Sequence, residues 1–178
     1  MAVRKIIRMG HPTLRKVAQP LTTKQLASAE IRRLIQDMVE TLEDSGGIGL
    51  AAPQVNESVR LAIIEIDGGP SRYGATPEFP LTVFANPIIE VIDPASAGYW
   101  EGCLSVPGLR GYVQRPQHVR VRYQDLKGAR HVLEPKGFLA TVFQHEFDHL
   151  DGVLYVDRMT DTTKLVFDDE YLRYVAGD

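Results

Sequence analysis

In the run Gln144-His145-Glu146-Phe147-Asp148-His149, two histidines stand four residues apart around a glutamate. On a helix turning 100° per residue, such a pair lies about 40° apart and one turn along the axis. Both imidazoles can then reach one metal ion. Glu146 falls about 60° around from His149, close enough to touch a water on that metal without ligating it. This is the physical content of the H-E-x-x-H pattern, two ligands and a general base carried by one helix. A helix that merely carries two surface histidines is the bland alternative. The chain holds only five histidines, and these two fall where apolar spacing predicts a helix.

Two histidines do not complete a catalytic metal site, which usually draws three ligands from the protein and leaves one position for water. One long protease pattern adds a third histidine six residues after the second. Tyr155 stands there, although Gly152 matches the intervening glycine, so that protease class is disfavoured. The third ligand must come from elsewhere, and Cys103 is the best thiolate donor available. A lone cysteine reads first as a small buried hydrophobe. Its neighbourhood, Glu101-Gly102-Cys103-Leu104-Ser105-Val106-Pro107, changes that reading. Gly102 lets another group approach the backbone closely, and a short apolar strand closed by proline follows. One cysteine and two histidines form a mixed sulfur and nitrogen set that suits zinc or ferrous iron.

A third segment, Gly47-Ile48-Gly49-Leu50-Ala51-Ala52-Pro53-Gln54, combines small residues with an amide donor at Gln54. It is no dinucleotide fingerprint, because no G-x-G-x-x-G opens a helix here and Pro53 interrupts one. By itself it reads equally well as a plain glycine and alanine turn.

The elements that must position these residues follow from periodicity. Leu26, Ile31, Leu34, Ile35, Met38, Val39 and Leu42 recur at helical spacing, predicting a helix over residues 24–44. Thr23 would cap its start, and Gly46 and Gly47 would stop it. Residues 59–66 read as a buried strand, and 68–80, rich in proline and glycine, as a loop. Residues 81–92 hold more strand, broken by the Asn86-Pro87 turn signal. Val119, Val121 and Tyr123 alternate with Arg120, Arg122 and Gln124, a strand wet on one side. A second helix spans 137–150 and ends at Gly152; a third spans 162–175, started by Asp161. Strands outnumber helices and come in runs, which favours an α+β fold with mainly antiparallel sheets.

Composition bounds the rest. The 178 residues fit a single domain over 1–178, able to bury about 70% of the unfolded chain's surface. One cysteine allows no internal disulfide, which points to a reducing compartment rather than a stapled secreted scaffold. Apolar content of 44% excludes wholesale disorder. No apolar run reaches the roughly 18 residues that span a bilayer, so no membrane partner is expected. The formal charge of −3 is local: residues 161–178 carry five acids against two bases, and the remainder balances. Arg4, Lys5, Arg8, Arg15 and Lys16 make the first nineteen residues basic. That segment lacks serine and is interrupted by Gly10 and Pro12, so it reads as a solvated edge rather than a targeting peptide. No basic stripe of the kind that marks nucleic-acid binding is present.

Together the three segments resemble the peptide deformylase family. Its pattern of G-x-G-x-A-A-x-Q, then E-G-C-x-S, then H-E-x-x-H stands intact and in order, and Gly10-His11-Pro12-Thr13-Leu14-Arg15 is similar to the family's usual start. The resemblance covers roughly residues 4–160 and implies antiparallel sheets packed around a central metal-binding helix. It implies hydrolysis of the formyl group from the formylmethionine that begins newly made polypeptides. Cys103, His145 and His149 would hold the metal. Glu146 would take a proton from the metal-bound water as base and return it to the leaving amine as acid. Gln54 and the Leu104 N–H match the family's oxyanion stabilisers, and Arg110 occupies its substrate-side basic position. The resemblance suggests ferrous iron in the cell, with zinc or nickel as substitutes in purified protein, and an oxygen-sensitive thiolate–iron site again favours cytoplasm.

The substrate side is read partly from geometry. Phe138, Thr141 and Val142 share the face of His145 and could form an apolar slot for a methionine side chain. They could equally be core. Ile48 and Tyr99 flank the other motifs, and Gly47 and Gly49, with Gly102, would admit substrate backbone edgewise. Nascent formylmethionine chains are the implied partners, met in transient encounters with ribosomes. The acidic tail would repel RNA phosphate, which argues against stable docking through it. Three other readings compete. Cys103 could be a nucleophile with a histidine base. The helix could serve a zinc endopeptidase. A structural metal could be held with His11, His118 or His131 as fourth ligand.

Overall fold

Strand β2 (Leu61–Ser71) is buried on both faces along its first half, and this double burial organises the fold. The computed structural model describes residues 2–71 and 74–176, with the side chains of 70–75 excepted. Side chains alternate across a strand. Leu61 and Ile63 therefore face one helix, and Ala62, Ile64 and Ile66 another. The continuous apolar run at 59–66 reflects that two-sided cover.

Among the described residues, six strands form one antiparallel sheet: β1 (Gly49–Ala51), β2, β3 (Gly74–Cys103), β4 (Val106–Gln124) and β5 (Arg130–Leu133) in that order, with β6 (Leu165–Phe167) paired to β4. Strand β3 runs for thirty residues only by bending, pairing with β2 up to Ala85 and with β4 from Ala85 on. Its register shifts between Ala85 and Ile88 and again on either side of Asp93. Such bulges bend a strand and increase its twist. Asn86, at φ +49°, marks the first, as the Asn86-Pro87 signal predicts.

Helix α2 (Ala29–Ser45) covers one face through Ile31, Leu34, Ile35, Met38 and Leu42. Helix α3 (Phe138–Asp148) covers the other, packing Ala140, Phe143 and Phe147 against Ala62, Ile64, Phe84, Val119 and Val121. The expected α+β architecture around a central helix is what the chain adopts. A 3₁₀ turn and Gly152 in the left-handed region stop α3 as expected. The alternating strand at 119–124 is also present, with Val119 and Val121 fully buried. No helix of the described residues is long and apolar enough to cross a membrane.

Three expectations are corrected. The helix over 24–44 is two helices, α1 (Thr23–Leu26) and α2, because Ser28 caps the second by accepting from the Ile31 N–H. The first is capped by Thr22, not Thr23, in a capping box with Gln25. The loop at 68–80 is instead the β2–β3 ladder, with Asp67 opposite Glu78 and Gly69 opposite Thr76. Pro80 is tolerated because it falls within the register shift between Thr82 and Phe79; Arg72 and Tyr73 of that stretch lie outside the described residues. The helix at 162–175 is a 3₁₀ turn, strand β6 and the short helix α4 (Asp168–Tyr174). Leu165 and its neighbours gain more by pairing with residues 109–111 of β4 than by coiling. Asp178 of the acidic tail lies outside the described residues.

Candidate metal centre

Cys103 is the last residue of β3, and Cys103 pairs with Val106, so Leu104 and Ser105 form the tip of the β3–β4 hairpin. Placing the thiol at a hairpin tip brings it over α3. Sγ lies 3.3 Å from Nε2 of His149. One ligand atom from each of Cys103, His145 and His149 falls within 4.8 Å of the others. Three donors this close, one sulfur and two nitrogens, fit a tetrahedral ion such as zinc or ferrous iron with a position to spare.

Buried charged neighbours fix His145. His145 Nδ1 donates to Glu101 Oε2 at 2.7 Å, which leaves Nε2 for the centre. A carboxylate behind a ligating histidine sets its tautomer and raises its basicity. Glu101 is in turn held by Arg115 through Nε at 2.6 Å and Nη2 at 3.1 Å. Arg115 also reaches Asp148 at 2.8 Å, and Asp148 takes Arg158 at 2.6 Å. A buried chain of alternating charge thus runs from His145 to the surface. Burial alone would push Glu101 up, but the bonds from His145 and Arg115 outweigh it and hold its carboxyl below the ordinary range. Burial would likewise lower His145, yet Cys103 and Glu101 raise it well above its usual value. Burial, then the charge on His145, pushes His149 well below. His145 thus carries its positive charge close to the Cys103 sulfur and the Glu101 carboxylate.

Glu146 lies on the inner face of α3, and its carboxyl packs against Gly49 of β1. Burial, the largest influence, raises its pKa to about 7. Its Oε2 is buried and has no hydrogen-bond partner among the described residues. Gln54 is held by its Oε1, which accepts from the Ala51 N–H at 2.8 Å. Its Nε2 faces Ser105 Oγ at 3.3 Å and Cys103 Sγ at 3.6 Å.

The cleft is open, about 550 Å³ counting the solvent at its mouth. Gly47, Ile48 and Gly49 line one side, Tyr99, Gly102, Cys103 and Leu104 the other, and Phe138, Thr141, Val142, His145 and Glu146 the floor with Gln54. Every candidate substrate residue is brought here except Arg110. That side chain is buried away from the cleft, its Nε on Asp168 Oδ1 at 2.7 Å. The reason is register: Arg110 stands opposite Gly102 on the sheet face that α4 covers. The other histidines do not join the cluster. His131 pairs with Asp125, His118 stands near Glu134, and His11 accepts from the Thr13 N–H. No fourth ligand comes from them.

Sequence reading passed over several supporting residues. Tyr155, noted only for not being histidine, is buried with its ring stacked on His145 at 6.2 Å and its hydroxyl on the Leu109 carbonyl. Ser105 steadies Gln54, Arg115 steadies Glu101, and Trp100 joins the cleft wall. Glu101 and Ser105 carried a signal by lying inside the cysteine motif; Arg115 and Trp100 carried none.

The model of the family described as polypeptide deformylase matches residues 3–165. A peptide deformylase of Leptospira biflexa is 41% identical over 170 residues, 96% of this chain and 95% of that one. Peptide deformylase 1 of Bordetella pertussis is 44% identical over 162 residues, 91% and 90% of the two chains. Among solved structures, the Met-Ala-Ser-bound class I type b peptide deformylase of Acinetobacter baumannii superposes with a TM-score of 0.83 at 36% identity, covering 89% of this chain and 99% of that one. With most of its length matched in sequence and in fold, the chain belongs to the polypeptide deformylase family of enzymes.

Proposed function

We propose that this protein hydrolyses the N-formyl group from formylmethionine at the start of new polypeptides, releasing formate and a free amino terminus. The observation that carries the proposal is the convergence of Cys103, His145 and His149 at a cleft lined by Cys103, His145 and the buried Glu146. A divalent metal bound by the three supplies a Lewis acid that makes water nucleophilic near neutral pH. Glu146 accepts the attacking water's proton and delivers it to the departing amine. Its pKa of about 7 suits both halves of that transfer. The Gln54 Nε2 donor and the Leu104 N–H stabilise the oxyanion that develops on the formyl oxygen. Leu104 suits this because it sits in the hairpin tip, outside the β3–β4 ladder. Each such donor is worth about 10²–10³ in rate.

Methionine enters over Val142, Thr141 and Phe138, with Ile48 and Tyr99 as side walls. Tyr99 packs edge-on against Phe138 at 5.7 Å, which supports a preformed slot. Substrate backbone pairs with Gly47 and Gly49 on one side and Gly102 on the other. A relative from Acinetobacter baumannii holds Met-Ala-Ser in its structure, which supports a peptide beginning with methionine as the substrate class. Ferrous iron is the proposed metal, zinc or nickel its substitutes, and a reducing cytoplasm its setting. Stable ribosome docking through the tail is not proposed, since β6 and α4 pack on the chain's own sheet and α4 opens with three acids.

The test is formate release from formyl-Met-Ala-Ser beside an internal-cleavage assay on unformylated peptides. Formate from the first and no cleavage of the second supports the proposal. The reverse pattern would assign the helix to an endopeptidase.

A further inference from the structure

The cleft wall opposite α3 includes Trp100, the single tryptophan of the chain. Trp100 precedes Cys103 by three residues on β3, which at about 3.3 Å per residue sets it roughly 10 Å from the metal end. An extended peptide with its formyl group at that end advances at the same rate. Its second and third residues, not its first, therefore come alongside the indole.

The indole is held from two sides. Tyr112 of β4 meets it edge-on at 5.6 Å, and Tyr171 of α4 lies tilted against it at 5.3 Å. Tyr171 is fixed in turn. The Arg110 guanidinium stands over its ring, 4.9 Å from the centroid, and Arg110 Nε donates to Asp168 Oδ1 at 2.7 Å. Strand β6 ties the whole segment to β4 by pairing Leu109 with Phe167, Arg110 with Val166 and Gly111 with Leu165. A C-terminal segment that lines no part of the cleft thus grips a residue that does.

We infer that Tyr171 is a positioning residue, which Arg110 and Asp168 lock against Trp100 so that the indole receives the residues following formylmethionine. The tail is then a specificity element for peptide length rather than a docking arm. The inference rests on the deformylase reading. An aromatic contact of this kind is worth about two- to twelve-fold in affinity.

The experiment uses the full-length, metal-loaded protein and compares Tyr171→Ala, Tyr171→Phe and Asp168→Asn on a formylated methionine tripeptide and on formylmethionine amide. Tyr171→Ala should raise KM for the tripeptide several-fold with kcat little changed, and leave both constants for the amide alone. Trp100 emission, the only indole signal, should shift to the red in the same variant. Tyr171→Phe keeps the ring and should restore both. Asp168→Asn should move KM for the tripeptide in the same direction by less, and covers the case in which Tyr171→Ala does not fold. An unchanged ratio of tripeptide to amide kcat/KM in the folded variants overturns the inference while leaving the deformylase reading intact. Wild-type protein that hydrolyses neither compound overturns that reading and this inference with it.

Discussion

A methyl group on Gly49 would sit 2.6 Å from the carboxyl carbon of Glu146. No real side chain tolerates that contact, so the bare backbone of β1 is the surface against which the Glu146 carboxyl, the proposed general base, rests. The contact is with the flexible end of Glu146, which can move aside without disturbing the sheet. Gly49→Ala should therefore fold and bind metal normally while kcat falls by about 10²-fold or more, the usual value of an aligned acid–base group. Steady-state kinetics beside metal content checks this; wild-type kcat in the alanine variant would remove Gly49 from any role in placing the base.

Removing the carboxylate itself should go further. Glu146→Ala should keep the metal, because Cys103, His145 and His149 are untouched, and lose turnover by about 10²–10⁴-fold. A variant that hydrolyses formylmethionine peptides at near wild-type rate would assign the proton transfer to another group.

The titration of Glu146 has a stability consequence with a definite sign. Its carboxyl is raised from 4.5 to about 7, chiefly by burial. A carboxyl raised on folding costs nothing while it stays protonated, below its unfolded pKa, and destabilises increasingly as pH rises through the folded value. In protein stripped of metal, Glu146→Gln should be stabilising at pH 8, on the order of 3 kcal/mol, and the gain should shrink as pH falls from 7 toward 4.5. Denaturant titrations across that range measure it. A gain that does not change with pH would contradict the assigned titration.

Arg115 should matter out of proportion to its distance from the reaction. Its guanidinium and the Glu101 carboxylate are both about 95% buried. Breaking such a pair from one side typically costs 3–5 kcal/mol, so Arg115→Met should lower the melting temperature by about 10 °C. Glu101→Gln, which keeps the shape and one hydrogen bond, should instead weaken metal binding about 10–100-fold. Calorimetry and competitive chelation separate the two effects.

Filling the proposed methionine slot provides a test of its own. Val142→Trp should raise KM for formylmethionine peptides by at least about tenfold, since an overpacked site excludes a side chain that needs the same volume. An unchanged KM would place the methionine elsewhere in the cleft.

The sequence makes legible those relationships that local spacing alone constrains. His145, Glu146 and His149 were readable because a helix fixes their relation by angle alone. Cys103 was readable through its glycine neighbour and the donor set, although its approach to His149 depends on the β3–β4 hairpin. The ladder through residues 68–80 was hidden because its prolines and glycines signal turns, and only the bulge at Pro80 reconciles them with a strand. The break at Ala27-Ser28 was hidden because helical spacing continues across it on both sides. The burial of Arg110 against Asp168 is not legible in the sequence, because its sheet face is set by β6 and α4, which arrive some 55 residues later in the chain. Long-range register is the information that periodicity does not contain.

The most direct test of the account is metal dependence. Protein purified without oxygen should contain about one iron per chain, lose formate release on chelation, and regain it with Fe²⁺, while Cys103→Ser should neither retain iron nor regain activity. Full activity in chelated, metal-free protein, or a Cys103→Ser variant that binds metal and turns over like the wild type, would contradict the centre described here.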